Sequence, residues 1–410
     1  RLMENGKSVT VSFEDLCRDY RRLCSSFFEK GLEGASIAVM GKNSYAWALT
    51  YLAAATVGVA VPIDKELSGE DIDHFLAEAR CKAVIGDRKL LDRITKQEGV
   101  LYAATDEAQG EEMTVRSLTA RGEYYYVSTG KKIDSFPIDR EKMSILLFTS
   151  GTTGSAKGVC LSQKNICANI LSTAQTVKAS PSDSVLSLLP LHHTYECTLG
   201  FLLILYWGAS IAYCSGLMQV AKELTQYSPT VLFVVPAILE FMLKRIKKEV
   251  VKGCPERYKS VFSELPLRKA LKKVPLPVAL IIKKKIRASL GGKLRMFIVG
   301  AAAVSAETIE EFYSLGIITL QGYGLTECAP LLAGNSDFIF NPESTGVAIP
   351  GVELRILHPN AEGVGEIIAR GDNIMLGYYH DDEANRSAFV DGFFRTGDLG
   401  RIDENGFLYI

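Results

Sequence analysis

The chain has 410 residues, 47% of them hydrophobic and 23% charged, which excludes disordered and fibrous classes and leaves room for two or three hydrophobic cores. A formal net charge of -1 gives no reason to expect nucleic acid across the whole surface. Nine cysteines, odd in number, scattered and without a CxxC pair, read as reduced, mostly buried thiols of a cytoplasmic protein, not as a disulfide framework or a zinc site.

Taken in order, the predicted elements alternate from the start. Ser12 with Asp15 marks a helix start, and Leu16, Tyr20, Leu23 and Phe27 keep one apolar face until Gly31 stops it. Ser36–Met40 has the continuous apolar run of a buried strand. Asn43 or Ser44 can cap a helix through Val57, and residues 59–62 return as strand. A helix over 71–79 and a strand over 83–85 repeat the alternation, so short strands joined by helices predict a parallel sheet covered on both faces. Residues 101–142 carry an acidic patch, a Tyr124-Tyr125-Tyr126 run and a Gly130-Lys131-Lys132 turn, and read as peripheral strands and loops.

The next stretch, 144–158, is the most informative. Four apolar residues, Ile145 to Phe148, predict a buried strand, and the following ten set hydroxyls and glycines around Lys157. Gly151, Gly154 and Gly158 let backbone N–H groups approach an anion; Thr149, Ser150, Thr152 and Thr153 add hydroxyl donors, and Lys157 adds a mobile positive charge. This is the chemistry of a phosphate cradle, though a Ser/Thr/Gly-rich run also suits a linker or surface turn. It is not a Walker A loop: counted back from Lys157, Gly151 fits, but Ala156 stands where the second glycine belongs and Gly158 where Ser or Thr should hold magnesium.

Beyond it, Ser162 or Asn165 can cap a helix to about Thr176, and a short strand over 185–189 ends at Pro190. Residues 198–214 approach the length of a membrane span, but Gly208 breaks the run, so a core helix followed by a strand is predicted. Strands over 210–213, 231–235, Met296–Val299 and 317–320, with helices over 219–227 and 236–250 between them, form a second α/β series. From Asn341 frequent glycines separate short strands such as Val352–Leu357 and 365–370. The predicted fold is α/β, with two doubly wound, mostly parallel sheets packed with helices and a small β-rich, distorted-barrel subdomain. The predicted domains are 1–185 with the glycine-rich loop, 186–335, and 336–410.

Four further motifs bear on chemistry. Pro190-Leu191-His192-His193-Thr194-Tyr195 follows a strand, where an imidazole can meet a carboxylate or a phosphate, although paired histidines are often structural. Gly300-Ala301-Ala302-Ala303 ends another strand and lacks the bulk that would keep a flat ring from the backbone. In Gln321-Gly322-Tyr323-Gly324-Leu325-Thr326-Glu327, Tyr323 sits between two glycines after a strand and can offer a ring face, while Glu327 is a hard oxygen ligand. Phe394-Arg395-Thr396-Gly397-Asp398 presents a carboxylate on what reads as a tight turn.

The loop and these motifs, in this order, resemble the adenylate-forming (AMP-binding) superfamily, which includes acyl-CoA synthetases, luciferases and peptide-synthetase adenylation domains. The resemblance covers nearly the whole chain and is nearest to long-chain fatty acid acyl-CoA synthetases. It implies ATP bound by Thr149, Ser150, Gly151, Thr152, Thr153, Gly154 and Lys157 at the phosphates, and by Gly300, Ala301, Ala302, Gln321, Gly322, Tyr323 and Gly324 at adenine. Thr326 is then the donor to the α-phosphate, Asp398 the acceptor of the ribose hydroxyls, Glu327 and Thr149 the ligands of Mg2+, and His193 the residue at the acyl pocket entrance. Lys157, Thr326, Glu327 and His193 are the expected catalytic residues. The implied reaction joins a carboxylic acid to AMP, then passes the acyl group to a thiol, that of CoA. Family members continue into a hinge and a small mobile lobe beyond the position of Ile410, so this portion is expected to bind ATP and acyl adenylate with little turnover. A stand-alone domain loading an amino or aryl acid onto a carrier protein, or a non-catalytic nucleotide-binding protein, are the alternatives; the apolar segment 198–205 favours an aliphatic tail.

Between Phe241 and Arg295, seventeen Lys and Arg stand against three Glu, mixed with apolar runs. A solvated helical face is one account. A surface drawn to anionic lipid at the inner face of a membrane, or to the phosphates of CoA, is the other.

Overall fold

The computed structural model describes residues 2–4, 7–106, 112–128, 132–149 and 156–410. Its contacts divide the chain into two units, one of residues 1–168, 190–197 and 373–388, the other of residues 169–189, 198–372 and 389–410.

In the first unit, the helix Phe13–Glu29 begins where the capping pair predicts. The Ser12 hydroxyl accepts from the Asp15 amide at 3.0 Å, and the Asp15 carboxylate accepts from the Ser12 amide at 3.2 Å. Ser44, not Asn43, caps the next helix, Tyr45–Val57, by accepting from Trp47 N–H at 3.1 Å. That helix is buried on most sides, with Trp47, Leu49, Tyr51, Ala53 and Ala54 all inside. The helices flank a seven-stranded sheet in the order Gly377–Tyr378, Lys157–Ser162, Met143–Thr149, Val59–Ile63, Ser36–Met40, Ala83–Gly86 and Leu101–Ala104. The last five strands are parallel, and the first two run antiparallel to their neighbours.

The segment 101–142 departs from its expected loops. Leu101–Ala104 is the parallel edge strand, and Val115–Ser128 is a 14-residue helix laid against Phe13–Glu29. Only Val115, Leu118 and Gly122 of it are buried, an apolar face too short for hydrophobic periodicity to reveal. The Ser26 hydroxyl donates to the Leu118 carbonyl at 2.5 Å, and a Cβ on Gly122 would lie 1.9 Å from the Arg22 carbonyl oxygen.

The second unit holds another seven-stranded sheet and a smaller antiparallel one. Five parallel strands, Ser210–Tyr213, Ser184–Ser187, Val231–Val234, Met296–Val299 and Ile318–Gly324, are followed by antiparallel Leu331–Gly334 and Val347–Ala348. A core that includes Leu232, Val234, Leu239, Phe262, Phe297, Ile309 and Phe312 packs under the helices Pro236–Gly253, Leu267–Lys273, Leu276–Ser289 and Ala306–Ser314. The β-rich part is an antiparallel sheet of Val352–Leu357, Gly365–Gly371, Phe393–Ile402 and Phe389–Val390, with Leu408–Tyr409 paired to Phe393–Ile402. The predicted fold class, two largely parallel α/β sheets and a small β-rich part, is the fold observed. The apolar run after the histidines is a π-helix, Tyr195–Leu202, continued by the α-helix Leu203–Tyr206 and the strand Ser210–Tyr213. Among the described residues, no helix is long and apolar enough to cross a membrane.

Gly122→Ala tests the close helix contact. The added methyl meets backbone that cannot rotate away, so despite alanine's better helix propensity a loss of about 1–3 kcal/mol is expected in urea unfolding followed by circular dichroism. An unchanged midpoint would refute the contact.

Candidate functional site

The glycine-rich loop connects two antiparallel strands of the first unit, with Thr149 and Lys157 facing each other across its base. The Thr149 hydroxyl donates to the Lys157 carbonyl at 3.4 Å. Ser150, Gly151, Thr152, Thr153 and Gly154 lie outside the described residues. Lys157 is half-buried, and its ammonium stands over the Tyr378 ring at 4.9 Å from the centroid. Tyr378 reaches it because Gly377–Tyr378 pairs with Lys157–Ser162, and the Tyr379 amide donates to the Gly158 carbonyl at 2.7 Å. Nothing in the sequence pointed to this aromatic neighbour, which comes from a two-residue strand more than two hundred positions away.

The two histidines differ in environment. His192 is buried and His193 exposed, their ring centroids 4.1 Å apart. The turn that carries them is held where the Leu191 amide donates to the Asn43 side-chain oxygen at 3.0 Å. Burial, then the neighbouring His193, push His192 down to about 4 against the opposing pull of Asp64, whose Oδ1 is 3.6 Å from His192 Nε2. His192 is therefore a neutral, packed ring at neutral pH, and His193 is the one open to a ligand.

In the second unit, two of the sequence motifs, residues 300–303 and 321–327, lie at the carboxyl ends of parallel strands, where ligands of α/β sheets bind. Met296–Val299 and Ile318–Gly324 are neighbours, with Val299 opposite Gln321, so the Gly300–Ala303 segment begins beside Gln321. The Gln321 side-chain oxygen accepts from the Val304 amide at 3.4 Å. Ala301 and Ala302 are exposed, Gly300 is buried, and Ala301 has a φ of 68°, a left-handed backbone that an alanine adopts only under constraint. The strand is longer than predicted: Gln321, Gly322, Tyr323 and Gly324 belong to it, and Gly322 to Gly324 pair with the returning strand Leu331–Gly334. Thr326 and Glu327 follow in a half-buried 3-10 turn, Thr326–Cys328.

Asp398 is corrected from its expected tight turn to the ten-residue strand Phe393–Ile402, at an irregular register where Gly397 has a φ of 77°. The two extra residues of this strand carry the carboxylate to Tyr323, whose hydroxyl donates to Asp398 Oδ2 at 2.7 Å. Burial raises the Tyr323 hydroxyl well above its ordinary value, and the Asp398 carboxylate adds to the rise, so the phenol stays protonated and remains the donor. Thr396, not singled out from the sequence, supports the bulge: it donates to the Ile367 carbonyl at 2.7 Å and accepts from the Asp398 amide at 3.2 Å. Among the described residues no three His, Cys, Asp or Glu side chains cluster as a metal cage. Thr149 and Glu327, the expected Mg2+ ligands, belong to different units. The donor set fits an ion that takes one carboxylate and completes its shell from substrate phosphates and water.

A family model described as AMP-binding enzyme matches residues 2–379. The chain is 30% identical to Long-chain-fatty-acid--CoA ligase 2 of Schizosaccharomyces pombe, over 97% of this chain and 63% of that protein. It is 27% identical to Long-chain-fatty-acid--CoA ligase 1 of Homo sapiens, over 98% of this chain and 62% of that one. It therefore spans about three fifths of the length of these relatives. Among solved structures it resembles ATP-bound MatB from Rhodopseudomonas palustris, with a TM-score of 0.77 and 25% identity, over 100% of this chain and 74% of that one. The N-terminal domain of FACL13 from Mycobacterium tuberculosis matches in fold at a TM-score of 0.75 and 22% identity, over 100% of this chain and 94% of that one.

The buried, neutral His192 gives a signed pH dependence. The unfolded chain takes up this proton at about 6.5, the folded one only at about 4, so its contribution to stability is lost as pH falls between those values. His192→Gln is expected to remove roughly 1–3 kcal/mol of that loss, measured as the difference in urea stability at the two ends of the window. An unaltered pH slope would show that His192 is not held neutral.

Proposed function

We propose for this chain, which belongs to the family of AMP-binding enzymes, that it activates a medium- or long-chain fatty acid with ATP, and that the intact protein then passes the acyl group to CoA. In the first step a carboxylate oxygen attacks the α-phosphorus and the bond to pyrophosphate breaks, leaving an acyl adenylate. In the second, a thiolate attacks the acyl carbon and AMP leaves with the bonding pair. A cytoplasmic enzyme working at the inner face of a membrane is the setting, in keeping with nine free thiols.

The observation that carries this reading is the Tyr323–Asp398 hydrogen bond at strand ends flanked by the small residues Gly300, Ala301 and Ala302. It orients an aromatic ring by its edge, which leaves the ring face for a base. It also uses one oxygen of Asp398, which leaves the other to accept from ribose. Gln321, Gly322 and Gly324 then shape the adenine wall, and Thr326 donates to the α-phosphate. Thr149, Ser150, Gly151, Thr152, Thr153, Gly154 and Lys157 are assigned to the phosphates, and His193 to the substrate carboxylate at the entrance of the acyl pocket. Buried Leu199, Phe201, Leu203 and Ile204 support an aliphatic substrate, since an amino acid would need a charged partner for its amine. A magnesium ion held by Glu327, with Thr149 as the second proposed ligand, would supply neutralisation of phosphate charge.

The protein's part is positioning and charge neutralisation, because three phosphates repel an anionic nucleophile. Each charge-assisted contact is worth roughly 1.5–3 kcal/mol. Pyrophosphate–ATP exchange by the intact protein against fatty, amino and aryl acids tests the reading. Exchange is expected with fatty acids, and Glu327→Gln or Lys157→Ala should lower it about 10- to 100-fold, with Glu327→Gln also raising the Mg2+ requirement. Exchange with amino or aryl acids and none with fatty acids would overturn it.

A further inference from the structure

Lys157 is the cation assigned to the phosphates, and what holds it in the first unit is an aromatic ring. Its ammonium lies 4.9 Å from the centroid of Tyr378, inside the distance at which a ring face attracts a cation. Among the described residues Lys157 makes no ion pair, so its charge reaches the base of the glycine-rich loop uncancelled.

The fold builds this contact with some care. On either side of Tyr378, the Leu376 amide donates to the Cys160 carbonyl at 2.9 Å and the Tyr379 amide to the Gly158 carbonyl at 2.7 Å, which ties the segment to the strand that begins at Lys157. The backbone of Tyr378 itself is gripped by one side chain: its amide donates to Asn385 Oδ1 at 2.6 Å, and its carbonyl accepts from Asn385 Nδ2 at 2.9 Å. The short helix Asp382–Ala388 supplies that asparagine. Two glycines make room for the arrangement. A Cβ on Gly158 would lie 3.0 Å from Tyr379 Cβ, and one on Gly377, which has a φ of 143°, would lie 2.7 Å from Asn385 Oδ1.

We propose that Tyr378 is a positioning residue for Lys157: its ring face holds the ammonium at the base of the glycine-rich loop, ready for the phosphates of ATP, without cancelling its charge. A carboxylate in the same place would also hold the ammonium, but it would neutralise it and compete with the phosphates for its N–H donors. A ring offers only its quadrupole, which gives way when a stronger anion arrives. The four-carbon stem of a lysine otherwise samples many rotamers, so restraining it beforehand lowers the ordering cost of binding. The proposal rests on Lys157 serving the phosphates, as assigned above, and is independent of which acid is activated.

Calorimetric binding of ATP with magnesium, and of adenosine, to the intact protein tests it. Tyr378→Leu should weaken ATP about 3- to 30-fold, the range a cation–ring contact covers, and leave adenosine binding and circular dichroism unchanged. Tyr378→Phe keeps the ring face and should bind ATP within about twofold of the unaltered protein. Phenylalanines carrying successively more ring fluorines at this position, which drain the face of negative charge at nearly constant shape, should weaken ATP stepwise. Lys157→Ala alone and combined with Tyr378→Leu should bind ATP equally poorly, because the ring acts through the lysine. A flat fluorine series, Tyr378→Phe as weak as Tyr378→Leu, a parallel loss of adenosine, or additive losses in the double variant would overturn the proposal and leave the role of Lys157 standing. No ATP binding by the unaltered protein, or ATP affinity unchanged in Lys157→Ala, would overturn the phosphate assignment and this proposal with it.

Discussion

The candidate nucleoside-binding residues depend on one hydrogen bond, from the Tyr323 hydroxyl to Asp398. It joins the last turn of backbone in a parallel strand to a bulge in an antiparallel one, and both ends are supported from below. Ala333, Ile367 and Leu408 are buried together there, with Tyr323, Leu354, Ile356 and Ile402 packed against them. Because burial disfavours the phenolate, the tyrosine keeps its proton and the pair keeps its polarity: donor on the ring, acceptor on the carboxylate. The bond fixes where the hydroxyl end of the ring lies and the packing beneath it limits how the ring turns, so any base that stacks on it meets a surface already in place.

Much of this was legible in the sequence, for identifiable reasons. Helix starts at Ser12 and Ser44 were readable because capping is local chemistry, and Ser36–Met40, Met296–Val299 and Val352–Leu357 were readable because buried strands concentrate apolar residues. The helix Val115–Ser128 was not, since it buries only Val115, Leu118 and Gly122, too short an apolar face to show a period. Asp398 was recognised as a candidate, but its placement on a strand was hidden because a Thr-Gly-Asp run reads as a turn wherever it occurs. Long-range partners were the least visible. The neutral state of His192 depends on burial and on His193, against the pull of Asp64, and the surroundings of Lys157 depend on Tyr378; no spacing in the chain announces either.

The glycines beside Tyr323 show how a correct residue can be chosen for an incomplete reason. From the sequence they leave room around a ring. In the structure, a Cβ on Gly324 would lie 1.9 Å from the Pro330 carbonyl oxygen, and one on Gly322 would lie 2.7 Å from Leu331 Cδ1. The strand that returns through Leu331–Gly334 passes so close to Gly324 that backbone excludes a side chain there, whereas at Gly322 the end of the Leu331 side chain must move aside. Part of the demand for glycine therefore comes from sheet packing and would persist with no nucleotide at all. The chemical demand falls on Tyr323 itself, on its hydroxyl for Asp398 and on its free face. This separates two classes of substitution in one short motif: changes at the glycines disturb the pairing that carries the ring, whereas removal of the Tyr323 hydroxyl leaves the strands intact and releases only the ring's orientation.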